Sequence, residues 1–466
     1  MDSIQAANSP AEIPAETPTS PAPENVSAPI SRAERITALD ALRGFALLGI
    51  LLMNIVAMGM YGQAYDDPTA AGGSTGANLW VWAVLHVVAE GKMRAIFSLV
   101  FGAGIILLTS RLEATGRNSA DIYYRRTSWL LLFGIVHAYL LWLGDILYPY
   151  AICALILYTF RKMSARGLLI TGSVVLVFMS LAYIGFGFST RAGIREGRAV
   201  VAAAHRGEKL TEKQEETKRQ YEQREKRRHP DAAALKKDAD EWRGNFFSVV
   251  GARGRLVGKF HSEPFYGPGH WDIWCMMLIG MGLMKLGVLS AERSTKFYVT
   301  MVVIGYGIGL PLNSYTAWLI IKNNFDPAMH AFANSTYDIG RLTIGLGHIG
   351  LIMLLAKLGA MKWLMNALGA VGQTAFSNYI LTSVITAFYF TGYGFKMYGR
   401  LERYQLYYVV AAIWVFNLVA SSIWVRHFRF GPLEWCWRSL TYWKRQPMRL
   451  AASEPVPVTT TVTATA

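Results

Sequence analysis

Charge is scarce in this chain. Only 17% of its 466 residues are Asp, Glu, Lys or Arg, against 53% hydrophobic, and a soluble enzyme core of this size would interrupt its apolar runs with charge far more often. Cysteine is scarcer still. Cys153, Cys275 and Cys436 show no CxxC spacing and no histidine cluster beside them, a pattern that points away from a disulfide framework and from any zinc or other metal site. Phosphate-binding loops are missing too. The GK of "EGKMRAIFSLVFGAG", residues 90–104, lacks the upstream Gly and following Ser or Thr of a P-loop, and "GYGIG" at 305–309 follows no strand. Residues 1–30, rich in Ala, Pro, Ser and Glu, lack the basic start and short apolar run of a signal peptide and read as a disordered tail. No convincing repeat relates the two halves, which counts against the internal symmetry of many transporters.

What the chain has in abundance is apolar sequence in windows of about 20 residues, the length a helix needs to cross a ~30 Å hydrocarbon core. Such windows lie near 38–60, 78–110, 127–143, 146–161, 167–188, 269–289, 297–321, 338–358, 368–390 and 405–427. They predict an all-α fold, a polytopic transmembrane bundle of about ten spans with a charged helical insert and disordered tails. The domain plan is a tail at 1–30, a transmembrane half at 31–188, a charged insert and interfacial segment at 189–268, a second transmembrane half at 269–446 ending in an aromatic and basic motif, and a tail at 447–466. The second window is too long for one straight span, so a bend or break is expected near "AEGKMR", residues 89–94.

The net charge of +15 speaks of topology, not of nucleic acid, because Lys and Arg sit mostly in short stretches beside the apolar windows. Arg32, Arg35, "RLEATGRNSADIYYRR" and "RKMSAR" mark a cytoplasmic side, while the loops at 61–77 and 144–147, with Asp but no Lys or Arg, face outward. Both termini are then cytoplasmic. Lys396, Arg400 and Arg403, and likewise Arg253, Arg255 and Lys259, go against this pattern. Residues 190–245 mix Glu with Lys and Arg at three- and four-residue spacings and read as a separate solvated helix or hairpin.

A few polar residues stand out inside the apolar windows. In "LDALRGFALLGILLMNI", residues 39–55, Asp40 and Arg43 share a helix face and can neutralise one another, and Asn54 returns to nearly that face about 21 Å along the axis. "GIVHAYLLWLGDILYPYA" carries His137 and, at the window's exit, Asp145. A Gly-Asp turn can fold that carboxylate back to the imidazole, the minimal general-base arrangement. Helix-to-helix packing bonds are the alternative account of such groups. Glu90, Lys92 and Arg94 fall at the expected break, beside a Phe-Gly-Ala-Gly run suited to close packing. Gln373, Asn378 and Tyr379, together with His270 and Asp272 beside the interfacial Trp271, are candidate substrate-binding residues.

The ordered motifs "RITALDALRGFALLGILLMNI", "GKMRAIFSLVFGAG", "GIVHAYLLWLGDIL", "GQTAFSNYILTS" and "FRFGPLEWCWRSLTYWKRQP" resemble the bacterial YeiB-like family, whose C-terminal half is the domain of unknown function 418. The first helix also resembles that of the heparan-alpha-glucosaminide N-acetyltransferases, part of a wider transmembrane acyltransferase superfamily. Their Asp-x-x-Arg-Gly start and later Asn fall here on Asp40, Arg43, Gly44 and Asn54. This resemblance implies a multi-pass protein of the bacterial inner (plasma) membrane that transfers an acyl group from cytosolic acyl-CoA to an acceptor, usually a sugar, on the far side. Those acetyltransferases carry a catalytic His in the first external loop, and "YGQAYDDPTAAGGSTGA" has none, so His137 is assigned that role from its own pattern.

On this reading His137, Asp145 and Asn54 form the candidate catalytic group, and Asp40, Arg43, Lys92, Arg94, Arg125 and Arg126 serve acyl-CoA, the co-substrate. The partners implied are the bilayer, acyl-CoA and an extracytoplasmic glycan or small-molecule acceptor, with no nucleic acid and with a homo-oligomer allowed. The competing class is a transporter or exporter of a small amphiphile. A scaffold that recruits partners through the insert would leave His137 and Asp145 unexplained.

Overall fold

Apolar sequence in a membrane leaves the backbone no water to bond, so each segment must satisfy its own N–H and C=O groups as a helix. The computed structural model describes residues 37–262 and 268–450, so the tail at 1–30, Arg32, Arg35 and residues 451–466 lie outside the described residues. In chain order the helices are α1 (Thr37–Gly59), α2 (Gly76–Val88), α3 (Lys92–Ala114), α4 (Ser119–Leu140), α5 (Leu147–Leu157), α6 (Ala165–His205), α7 (Glu212–Arg228), α8 (Ala232–Trp242) and α9 (Phe246–His261). They continue with α10 (Pro268–Lys285), α11 (Thr295–Lys322), α12 (Pro327–Ala333), α13 (Tyr337–Leu358), α14 (Lys362–Gln373), α15 (Ala375–Phe390), α16 (Arg403–His427) and α17 (Pro432–Tyr442).

Among the described residues, six stretches are long and apolar enough to cross a membrane: α1, the α2–α3 pair, α6, α11, the α12–α13 pair and α16. The α1 and α2–α3 stretches are mostly buried and form the centre, whereas α6, α11 and α16 turn Val174, Phe178, Val303, Ile308, Val415 and Phe416 outward, a surface suited to lipid. Polar ties gather the chain at two ends. At one end Lys285 donates to the carbonyls of Arg161 and Met163 (2.7 Å each), Arg161 pairs with Glu113 (2.8 Å), and Arg125 donates to the carbonyl of Thr441 (3.0 Å). At the other Arg228 meets Asp67 (2.5 Å), Arg198 pairs with Asp326, and Asn78 donates to Glu402 (3.0 Å). The chain passes between these ends through α1, α2–α3, α4, α5, α6, α10, α11, α13, α14–α15 and α16.

Residues 190–245 are not the separate unit that their charge pattern predicts. The expected boundary at 188/189 falls inside α6, which runs 41 residues without a break. At 1.5 Å per residue it is about 62 Å long, twice a hydrocarbon core, so it carries the span straight into the insert. The insert then docks on the loops at the end that carries Asp67. Arg228 reaches Asp67 and the carbonyl of Phe325, Arg243 the carbonyl of Tyr398, and the N–H of Gly392 donates to Trp242 (2.9 Å).

Two of the basic residues that go against the charge pattern now have a physical account. Arg253 and Arg403 are each 2% exposed and donate to the carbonyls of Leu140 and Ala64 (2.5 Å each). They are spent as internal donors to backbone carbonyls, whereas the topology rule concerns solvated charge flanking spans.

The two-ended arrangement predicts opposite sidedness for two exposed residues. A cysteine at Lys444 should react with a membrane-impermeant maleimide only after cell lysis, and one at Lys213 should react in intact spheroplasts. Labelling of both from the same side would overturn the arrangement.

Candidate functional site

His137 lies in the last turn of α4, 1% exposed. The helix ends at Leu140, and the irregular stretch to Ile146 folds Asp145 back over it. His137 Nδ1–H donates to Asp145 Oδ1 (2.7 Å), and Nε2 lies 2.9 Å from the hydroxyl of Ser383 on α15. The other carboxylate oxygen accepts the N–H of Tyr148 (2.7 Å), which fixes Asp145 at the start of α5. Tyr379, one turn before Ser383, sets its ring 4.9 Å from the imidazole, and its hydroxyl oxygen accepts the N–H of Ile146 (3.1 Å). A carboxylate on one nitrogen and a hydroxyl on the other make a proton relay, with Asp145 fixing the tautomer.

A second polar cluster occupies the break between α2 and α3. Gly91 takes a left-handed conformation (φ 72°), and Lys92, 1% exposed, turns its ammonium to the carbonyl of His86 (2.7 Å) and to Asn313 Oδ1 (2.8 Å). Glu90 accepts from the hydroxyls of Tyr65 (3.3 Å) and Tyr337 (3.4 Å). Arg94 is exposed although Met93, Ala95 and Ile96 around it are buried, and its guanidinium donates to Tyr337 Oη (3.4 Å). Ser98, one turn on, bonds Tyr150 (2.7 Å) and links this cluster to α5. A cleft enters here between α2, α11 and α13, lined by His86, Glu90, Asn313, Thr316, Asn334 and Tyr337. The cleft is small, with room for roughly one water.

A third group lies at the end that carries α17. Arg43 pairs with Asp40 (2.6 Å) and reaches the carbonyl of Gly372 (3.4 Å), where α1 and α14 cross at near backbone contact. A Cβ on Gly372 would stand 1.8 Å from the carbonyl oxygen of Asp40, and one on Gly44 2.0 Å from that of Leu368. Arg126 stacks on Trp437 (3.7 Å), and no described carboxylate lies within ion-pair distance of it. Arg125 instead pairs with Asp121 and holds α17 through Thr441. Glu434 of α17, buried, accepts the N–H groups of Phe376 (2.6 Å) and Ser377 (3.2 Å), capping α15 and so orienting the helix that carries Tyr379 and Ser383.

The other expected residues divide between open and engaged. Asn54 and Gln373 are half-buried, with no side-chain hydrogen bond to any described residue. Asn378 donates to Val371, Thr374 and Ser421 and ties α15 to α16. Asp272 is paired in two-pronged fashion with Arg341, which also meets Asp338 (2.7 Å). His270 keeps a buried Nε2 without a hydrogen bond. Neither Asp272 nor His270 joins the His137 relay.

Residues 283–444 match the family described as "Protein of unknown function (DUF418)". The chain is similar to "Uncharacterized protein YeiB" of Escherichia coli (strain K12), 31% identical over 425 residues that cover 88% of this chain and 96% of that one. It is also similar to "Uncharacterized protein YxaH" of Bacillus subtilis (strain 168), 26% identical over 89% of this chain and 96% of the other. The chain belongs to the YeiB-like DUF418 family. The DUF418 match takes in α11 to α17, and hence Tyr379, Ser383 and the Glu434 cap, while His137 and Asp145 come from the half before it.

Two residues of this family member escaped the sequence reading. Ser383 sits among several Ser and Thr residues of α15, and only the fold shows which one faces His137. His86 looks like part of an apolar window, yet its ring stacks on Trp82 (4.9 Å), lines the cleft and makes no side-chain hydrogen bond to any described residue. The crossing under Arg43 gives a direct test. Gly372→Ala should lower unfolding stability by about 1–3 kcal/mol through overpacking, whereas Gly369→Ala, whose Cβ would meet nothing within 4 Å, should be neutral or slightly stabilising. Equal melting temperatures for the two purified variants would refute the tight crossing.

Proposed function

We propose that this DUF418 member is an integral membrane O-acyltransferase that moves an acyl group from cytosolic acyl-CoA to a hydroxyl of an extracytoplasmic sugar, glycan or small molecule. The observation that carries the reading is the buried Asp145–His137–hydroxyl line, with both ring nitrogens committed at 2.7 and 2.9 Å. Acyl transfer from a thioester to a hydroxyl needs the hydroxyl proton removed as its oxygen attacks the carbonyl, and the departing thiolate needs a proton back. An imidazole held in one tautomer by a carboxylate does both.

The charge distribution agrees with a donor on the α17 side. Arg126, stacked on Trp437 and without a carboxylate partner, is suited to a phosphate or to the adenine-bearing end of CoA, and Arg43 and the unbonded amide of Gln373 lie on α1 and α14. The His86 cleft offers an acceptor entry near the other end. The Asn334 amide and Glu90 carboxylate that line it are groups that bond hydroxyls.

One observation favours a transporter instead. Helices interrupted inside the membrane, here at Gly91 and at Thr374 between α14 and α15, are a recurrent device of transporters, whose freed backbone groups bind the cargo. Here Lys92 already takes the freed carbonyl of His86, which leaves that group less available to a cargo.

The two readings part in detergent, where vectorial transport is lost and chemistry is not. The purified protein should release CoA from short-chain acyl-CoA thioesters when sugars are supplied. His137→Ala should cut turnover by about 10²–10⁴-fold with donor affinity nearly unchanged. Arg126→Ala should weaken donor binding by roughly 1.5–3 kcal/mol and spare the chemical step. Folded His137→Ala protein with near wild-type turnover, or no CoA release from any donor, would defeat the acyltransferase reading.

A further inference from the structure

The hydroxyl at His137 Nε2 belongs to the protein itself. Among the described residues His137 is the one imidazole with a carboxylate on one nitrogen and a hydroxyl on the other. His348 shows what a packing histidine looks like here: its Nε2 donates to the carbonyl of Val88 (2.9 Å), its Nδ1 accepts from Tyr306 (2.7 Å), and no carboxylate is present. The neighbours of Ser383 are equally informative. Thr386 on the same helix and Thr391, the residue just past its end, close their hydroxyls onto carbonyls one turn back at 2.9 and 2.7 Å. The corresponding contact from Ser383 to Tyr379 O is longer, 3.2 Å, and the imidazole nitrogen is nearer, 2.9 Å. With Nδ1–H given to Asp145, Nε2 has only a lone pair, and the one proton that can satisfy it is that of Ser383. Once the proton moves to Nε2, the serine oxygen is left as a nucleophile.

We propose that Ser383 is the first acyl acceptor, so that transfer runs through an acyl-serine. The proposal rests on the acyltransferase reading and gives it a covalent intermediate. In the first half, Ser383 Oγ attacks the thioester carbonyl as its proton passes to His137 Nε2. The C–S bond then breaks, and the CoA thiolate leaves with that proton. In the second half an acceptor hydroxyl loses its proton to Nε2 and attacks the ester carbonyl. The bond to Ser383 Oγ breaks and the serine takes the proton back. Nothing is oxidised or reduced, and Asp145 remains a positioning residue throughout. Tyr379 supplies an O–H next to the relay. Its oxygen accepts from Ile146 N–H and its own proton has no acceptor among the described residues, so it is free to bond an oxyanion. Ser383 is 1% exposed, so acylation requires the seam between α4 and α15 to part, and closure afterwards keeps water from the ester.

The test uses the full-length protein in detergent, radiolabelled acyl-CoA thioesters from acetyl to hexanoyl, no acceptor, and a rapid acid quench. The expected result is a burst of about one CoA per protein, as for other acyl-enzymes, and label retained after denaturation on the peptide that contains Ser383. Ser383→Ala should lose the label and at least about 100-fold in turnover, with an unchanged melting temperature. Ser383→Cys should keep the label as a thioester, removable by neutral hydroxylamine; a Ser383→Cys protein that turns over unlabelled counts against the proposal. Wild-type turnover without burst or label, or full turnover by folded Ser383→Ala, would overturn the acyl-serine and leave the acyltransferase reading standing. Absence of any CoA release would end both.

Discussion

The ammonium of Lys92 is the contact on which the polar interior depends. α2 stops at Val88 inside the bundle, and its last carbonyls have no partner within the helix. Lys92 supplies one by donating to His86, and a cation at a helix C-terminus is favoured electrostatically as well. Its second bond fastens α11 through Asn313. A buried ammonium left without these acceptors would cost several kcal/mol, so the left-handed Gly91, the break and the α11 tie stand or fall together. Restarting the helix at Lys92 puts Arg94 and Ser98 one turn apart on one face. From there the polar chain runs through Tyr150 to α5, whose first turn holds Asp145 against His137.

What was legible in the sequence was local. His137 and Asp145 are 8 residues apart, and helix geometry with one glycine turn suffices to bring them together. Asp40 and Arg43 are 3 apart, and the break needed only a window too long for one span with Gly and charge near its middle. What was hidden depends on how helices distant in sequence meet. Ser383 lies 246 residues from His137 and carries no local mark of its role. Arg125 and Arg126 look equivalent in sequence, yet adjacent helix positions point about 100° apart, so one holds α17 and the other stacks on Trp437. The insert misled for another reason. Its Glu and Lys pattern describes a solvated surface correctly but says nothing about the buried Trp242 and Arg253 on its other face.

The face that carries the insert is largely closed by backbone fit. Gly392 shows how closely the insert seats: a Cβ there would stand 1.5 Å from the carbonyl oxygen of Gly244. Arg253, Arg243 and Arg403 then bond backbone carbonyls from within, which makes that lid a folded part of the protein instead of a mobile flap.

Polar groups at both ends of a membrane protein create a hazard, because a continuous wet path would leak ions. Here the α17 end and the His137 relay are separated by aromatic packing. Phe133, one turn before His137 on α4, meets Phe376 on α15 edge-on (5.3 Å), and Phe376 in turn packs on Trp437 (5.6 Å). A hydrated ion gains nothing from such a plug and would lose its shell. The thioester and acyl end of the donor proposed above is uncharged, so it has no ionic hydration shell to lose in parting the rings. An interior with charge at the two ends, rings between them and a proton relay just beyond the rings therefore discriminates by chemistry. On the acyltransferase reading proposed above, that plug would admit the reactive end of an amphipathic donor while holding back solvent and ions, with no binding site exposed alternately to both sides.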